Sequence, residues 1–331
     1  MKPRRTWLMA ACCLCSLASG PAMAADAYPD RPVTIVVPSV AGGAADAVAR
    51  TVAQGLSKRL DATVVVDNKP GAGSTLGASH VAKSKPDGYT LLLGIDATFA
   101  SAPYLMPVQP FRPVEDFQPI GTLAVFPYVL VASPSAPFQS AAQLVEMARA
   151  QPGQYTYASG GEGSIHHLIM DAFQKSAQIQ LRHVPYKAAP QGFIDMMGGH
   201  VDLMFIAPGT GAGPIKSNKI KGLAQSGSKV LADLPEIPLL KDSPISRNFV
   251  FESWFGLFAR KGTPAEVIQR LDRALSEVMN SAEVKNQLTA QGITPRFEPA
   301  TALAKRVEDD TRRFAPVVSQ LRKQSDQDTQ R

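Results

Sequence analysis

The stretch VTIVVPSVAGGAADAVARTVAQGLSKRL, residues 33–60, sets the fold class. Val33-Thr34-Ile35-Val36-Val37 is a continuous β-branched run, the pattern of a strand buried on both faces. Pro38 ends it, Gly42-Gly43 turn the chain, and a helical pattern follows from about Ala44 to Leu60. Asp46 sits in the first turn of that helix, where the helix dipole favours an acid. Downstream, a second strand over Thr63 to Asp67 leads through Asn68-Lys69-Pro70-Gly71 to a helix near Ser74 to Lys83. Pro86-Asp87-Gly88 then turns into a third buried strand, Tyr89 to Gly94. This βαβαβ rhythm predicts an α/β fold with a parallel sheet and helices on both faces.

The middle of the chain repeats the alternation. Strands are predicted at Val129 to Val131, Tyr155 to Ser159, Leu181 to Val184 and Val201 to Phe205. Helices are predicted from Ser140, as cap, to about Ala150, from Ser164 to about Ala177, and over Gln191 to Met197. After Trp254-Phe255-Gly256-Leu257-Phe258, Thr263-Pro264-Ala265-Glu266 reads as a helix start with Thr263 as cap and Pro264 at the first helical position. Trp254 is expected in the core.

The amino terminus carries an address. Lys2, Arg4 and Arg5 precede an apolar run from Trp7 to about Leu17, then Gly20-Pro21 and the triplet Ala22-Met23-Ala24. That is a secretory signal peptide, 1–24, cleaved after Ala24, and its apolar run is shorter than the ~20 residues needed to span a bilayer. The periplasm is the expected location. Cys12, Cys13 and Cys15 all fall in this leader, so the exported chain folds without disulfides. The formal net charge of +6 loses three positive charges with the leader, and no basic run with interleaved aromatics points to nucleic acid. The remaining chain, roughly 300 residues, exceeds what one small core organises and suits two domains.

Two glycine-rich loops open onto predicted helices at the carboxyl ends of strands, where ligands bind in open α/β sheets. One is Ser39-Val40-Ala41-Gly42-Gly43 and the other Ser159-Gly160-Gly161-Glu162-Gly163-Ser164. Free N–H groups at a helix start hold an anion without a charged side chain; the alternative is that these glycines only make tight turns. Gly43 is expected to be the position where a side chain obstructs the loop. Asp46 is read first as a brace for the loop and second as a ligand contact. His166 and His167 diverge by about 100° on a helix, and His80, His183 and His200 lack an i, i+4 partner, so no metal and no cofactor are assigned. Gly71-Ala72-Gly73 with Gly77 imitates a dinucleotide fingerprint, but with one residue too many. With no cysteine nucleophile in the exported chain and no G-x-S-x-G, an exported enzyme is the lesser alternative.

Several motifs, in order, resemble one family. They are Tyr28-Pro29, Arg31-Pro32, Val36-Val37-Pro38, Gly42-Gly43 and Asp46, then Asn68-Lys69-Pro70-Gly71-Ala72-Gly73 and Pro86-Asp87-Gly88-Tyr89-Thr90-Leu91. Glu115-Asp116-Phe117, Tyr157-Ala158-Ser159, Gly163-Ser164, His167-Leu168 and His183-Val184-Pro185-Tyr186-Lys187 follow, and Val201-Asp202-Leu203-Met204-Phe205 and Gly262-Thr263-Pro264 complete the set. The chain resembles the Bug-type receptors, the substrate-binding proteins of tripartite tricarboxylate transporters. The resemblance implies a two-domain periplasmic binding protein, a "Venus flytrap" whose domains are each a mainly parallel sheet flanked by helices. It implies a discontinuous first domain, 25–125 with 250–331, a second domain, 126–249, and C-terminal helices packed on the first. It further implies a monomer that captures a small mono- or dicarboxylate, aromatic acids included, in the interdomain cleft and passes it to membrane transporter subunits. A ligand sensor of the same fold is the alternative. The candidate ligand-binding residues are Ser39, Val40, Ala41, Gly42, Gly43, Asp46, Asp96, Ala97, Ser159, Gly161, Gly163, Ser164, His167, Lys187, Phe205 and Ile206. Three positions depart from the family pattern: Ile206 replaces a frequent Asp that can face a ligand amino group, Ser39 replaces an aromatic or apolar residue, and Ala188 replaces Gly. The first of these argues against an α-amino ligand.

Overall fold

The computed structural model describes residues 28–329 except 107 and 292, with side chains to 323; the leader read at 1–24 lies outside the described residues. The elements follow in order as β1 (Val33–Val37), α1 (Ala44–Leu60), β2 (Val64–Asn68), α2 (Thr75–Ala82), β3 (Thr90–Ile95) and the short helices α3 (Asp96–Ala100) and α4 (Ala102–Leu105). Then come β4 (Phe117–Pro127), β5 (Val129–Ala132), α5 (Ala141–Ala150), β6 (Thr156–Ser159), α6 (Ile165–Ala177), β7 (Arg182–Pro185), α7 (Ala189–Met197), β8 (Leu203–Ile206), α8 (Pro208–Lys216) and β9 (Lys221–Gln225). The chain closes with β10 (Glu252–Arg260), α9 (Ala265–Asn280), α10 (Ala282–Ala290), β11 (Pro295–Pro299) and α11 (Ala300–Thr329).

These strands form two sheets, ordered β11-β4-β10-β3-β1-β2 and β7-β6-β8-β5-β9. Each is mixed. In the first, β1 pairs in parallel with β2 and β3, and β10 runs antiparallel between β3 and β4. In the second, β6 pairs in parallel with β7 and β8, and β5 runs antiparallel to β8 and β9. The chain leaves the first sheet at Pro127, enters the second at Val129, and is back in the first by Glu252.

Four buried clusters cover the two faces of the two sheets. The alternation within β1 shows why: Val33, Ile35 and Val37 pack under α1, α9 and α10, while Val36 packs on the other face with Phe99, Trp254 and Phe258. Trp254 is fully buried and donates its Nε1–H to Asp310 at 2.8 Å. Ser140 caps α5 by accepting the Gln143 N–H at 3.2 Å. Thr263 does not cap α9. The helix starts at Ala265 after Pro264, and Thr263 Oγ1 turns back to donate to the Arg260 carbonyl at 2.8 Å.

The last helix departs from expectation. Leu303 and Val307 of α11 pack on the first sheet, but Phe314, Val317, Val318 and Leu321 pack in the core of the second. One helix therefore belongs to both cores, with Pro316 within the second contact set. The crossover strands are also tied together. Ser226 accepts the Tyr128 N–H through its hydroxyl at 2.9 Å and donates that hydroxyl to the Phe251 carbonyl at 2.6 Å.

Candidate functional site

Because β1, β2 and β3 are parallel, their carboxyl ends share one edge; those of β6, β7 and β8 share another. Every candidate residue lies at one of these two edges.

At the first edge, Val40, Ala41, Gly42 and Gly43 form an exposed loop, with Val40 65% accessible. Asp46 is buried and turns back from α1 to brace it. Its Oδ2 accepts the Gly42 N–H and the Arg50 Nε–H, both at 2.9 Å. The Arg50 guanidinium, aided by the Gly42 amide, holds this carboxyl below its usual range against the opposing effect of burial. Asn68 at the end of β2 donates to the Ser39 carbonyl at 3.2 Å, while Ser39 Oγ is buried without a partner among the described residues. The loop glycines divide the work differently from expectation. Gly43 is the N-cap of α1 in ordinary extended backbone, φ −83°, and a Cβ there would meet nothing closer than the Val40 carbonyl at 3.7 Å. Gly42 holds the left-handed conformation, φ +84°. Gly42→Ala should therefore destabilise by about 1–2 kcal/mol, and Gly43→Ala by much less, as urea denaturation would show.

Asp96 faces inward. It is 5% accessible, receives a hydrogen bond from Ser253 Oγ, and accepts the Ala97 N–H at 2.7 Å. Burial raises its pKa to about 7. It braces the start of α3 against β10 and presents no exposed carboxylate. Ala97 beside it is half-buried.

At the second edge, the loop from Gly160 to Ser164 carries Gly161 at φ +106° and Gly163 at φ +70°. Ser159 Oγ lies 2.6 Å from His183 Nε2 and accepts the Gly161 N–H at 3.0 Å. The Gly163 N–H donates to His167 Nδ1 at 3.1 Å, and Ser164 Oγ donates to the Gly161 carbonyl at 2.6 Å. This loop touches the other sheet's connections: Ser101 Oγ, after α3, donates to the Gly163 carbonyl at 3.3 Å. Lys187 is exposed and has no ion pair among the described residues. Phe205 and Ile206 are buried in the cores on opposite faces of β8, so their backbone alone reaches the edge.

The helices that start at these edges share one property. No side chain caps α1, α6, α7 or α8, in contrast to α5 at the opposite edge of its sheet. Their first-turn N–H groups keep their hydrogen-bonding capacity and the positive end of the helix dipole. A cavity of about 340 Å³ between α6, residues 247–250 and α11, and one of about 230 Å³ between α3, α4 and α11, include no residue of either loop. Both follow the seam of α11, which is packing geometry without the convergent amides of the strand edges.

His166, Tyr157 and His183 are not among the candidate ligand-binding residues read from the sequence. Tyr157 and His183 are register partners on β6 and β7 and stack at 4.7 Å between ring centroids; His183 in turn stacks on His167 at 4.2 Å. His166 packs edge-on against Tyr128 at 5.9 Å, and its Nδ1 is buried without a partner among the described residues.

Comparison with known proteins settles the family. The family model of the tripartite tricarboxylate transporter family receptor, TctC, matches residues 48–322. The chain belongs to this family. The TctC receptor is 33% identical over 297 residues to Protein BugT of Bordetella pertussis, covering 89% of this chain and 91% of that one. It is similar to two solved structures from Rhodopseudomonas palustris. Rpa4515 with adipate has a TM-score of 0.74 at 28% identity, covering 89% of this chain and 98% of that one. MatC with bound malate has a TM-score of 0.71 at 28% identity, covering 88% and 100%. The TctC receptor thus has the two-domain α/β Venus-flytrap fold of periplasmic solute-binding proteins, with carboxylates as ligands of its neighbours. Among the described residues, no helix is long and apolar enough to cross a membrane.

Proposed function

We propose that this TctC receptor is an exported periplasmic binding protein that captures a small mono- or dicarboxylate between its domains and delivers it to membrane transporter subunits. It acts by binding and not by catalysis, as a monomer. Its domains are 25–125 with 250–331, and 126–249, with the hinge near residues 125 and 250.

The observation that carries this reading is the uncapped start of α1 at one strand edge and of α6 at the other, each preceded by a glycine loop. A carboxylate at such a terminus accepts several charge-assisted N–H bonds with no cationic side chain. Ser164 Oγ adds a hydroxyl, and Lys187 is exposed beside the second loop. Asp46 serves the ligand indirectly by fixing Gly42. Ile206 leaves no acid at the position where a ligand amino group would find one.

Thermal-shift measurements against a panel of carboxylic acids, adipate and malate included, test this. A ligand at 100 times its Kd stabilises by about 2.7 kcal/mol, enough to raise Tm clearly. Amino acids should shift it less. Stabilisation by neutral sugars or cations alone would overturn the carboxylate assignment.

A further inference from the structure

We propose that His167, stacked on His183, is a positioning residue for the 160–164 loop, and that it holds the Gly163 end of the loop in binding geometry only as a neutral imidazole, so that acidification releases the loop and its ligand. This rests on the carboxylate reading for what the loop holds.

The argument begins with one hydrogen bond of fixed polarity. The Gly163 N–H donates to His167 Nδ1 at 3.1 Å, which requires a lone pair on that nitrogen. A protonated imidazole carries N–H on both nitrogens, so charging His167 sets one donor against another. At the other end of the loop, Ser159 Oγ accepts the Gly161 N–H at 3.0 Å, lies 3.1 Å from the Gly161 carbonyl and 2.6 Å from His183 Nε2, and can serve His183 in either protonation state. Protonation therefore acts on the loop through His167 and the left-handed Gly163.

The rings of His167 and His183 also control each other. They stack at 4.2 Å with 27° between planes, and Tyr157 stacks on His183 at 11° with its ring centroid 6.4 Å from that of His167. Two charged imidazoles at that distance repel, so the stack accepts at most one proton readily. Burial keeps both histidines from protonating at their ordinary pKa, and His183 is lowered to about 4, with His167 as the second cause. The opposing groups are Glu162 on the loop and Asp171 on α6, which favour charge on His167. Asp171 is itself paired with Lys175 at 2.7 Å. The neighbouring His166, buried and lowered to about 4, faces Tyr128 on the other side of α6. Release thus falls below the ordinary histidine range, in mildly acidic solution.

The test is NMR on the ligand-free protein between pH 7.5 and 4. Ring nitrogen shifts should show His167 as the neutral Nε2–H tautomer at pH 6. Exchange protection of the Gly163 amide, corrected for intrinsic rate, should fall at least tenfold as the His167 ring protonates. His167→Gln keeps an acceptor that cannot be charged and should retain protection at pH 5, whereas His167→Ala should lose it at every pH. For an acid that binds at pH 7.5, affinity should drop at least tenfold by the pH at which the His167 ring is fully protonated in the wild type, and by clearly less in His167→Gln at the same pH, which cancels protonation of the ligand itself. Ordinary ring titration near pH 6.5 with unchanged Gly163 protection overturns the inference, as does acid-sensitive protection in His167→Gln. Failure of every acid in the panel at pH 7.5 would overturn the carboxylate reading alone, because the loop measurement needs no ligand.

Discussion

Gly163→Val is expected to destabilise the protein by about 3 kcal/mol, combining the cost of a left-handed residue with that of overpacking. Gly163 sits at φ +70°, and a Cβ built on it would lie 2.1 Å from Leu105 Cδ1. Leu105 is half-buried and packs against the core of the second sheet near Leu321 of α11, so its Cδ1 must leave that contact to admit the new side chain. The same substitution disturbs the Ser101 hydroxyl bond to the Gly163 carbonyl and the Gly163 amide bond to His167. Urea denaturation should show a lower midpoint with an unchanged slope. Gly153→Val separates the two causes, because Gly153 is equally left-handed at φ +75° but a Cβ there meets nothing within 4 Å. It should cost only the backbone share, about 1–2 kcal/mol. Equal losses in the two variants would mean that the contact with Leu105 contributes nothing.

Asp96→Asn should stabilise the protein at pH 8 by up to about 4 kcal/mol, from a pKa raised by about three units at 1.36 kcal/mol each. Burial, against the lowering effect of the Ser253 hydrogen bond, raises the native carboxyl to about 7 from its ordinary value of 3.8. Between those limits the native state holds a proton that the unfolded chain has released, so its stability falls as pH rises through that window. Below pH 4 both states are protonated and the advantage of Asn vanishes. Asn keeps an acceptor for the Ala97 N–H and removes the charge. Thermal denaturation of both proteins at pH 4 and pH 8 gives the comparison; an Asn variant weakened more at pH 8 than at pH 4 would show that the ionised carboxylate is the stabilising form. His166 and His183 act with the opposite sign. Each is neutral in the native state down to about pH 4, while the unfolded chain gains a proton below 6.5, so they cost stability as pH falls.

The pattern of the chain sufficed for what depends on neighbours in sequence. Val33–Val37 reads as a strand because β-branched residues buried on both faces leave no polar alternation, and Ser140 reads as a cap because its oxygen needs only the amide three residues on. Both glycine loops are legible for the same reason, since a strand, a glycine turn and a helix start are consecutive. The eleven-residue β4 is not legible. Phe117–Pro127 contains Pro119 and Gly121, which argue against a strand, and it is held by pairing with β10 across two register shifts. Distance along the chain hides the rest. Asp96 meets Ser253 157 residues away, Tyr157 meets His183 through sheet register, and Gly163 meets Leu105 where the two halves touch. Local propensity determined which segments become strands, helices and turns in this protein. Only the tertiary structure decided which glycine is strained, which carboxyl faces inward and which histidines stack, because those outcomes depend on what each side chain is packed against.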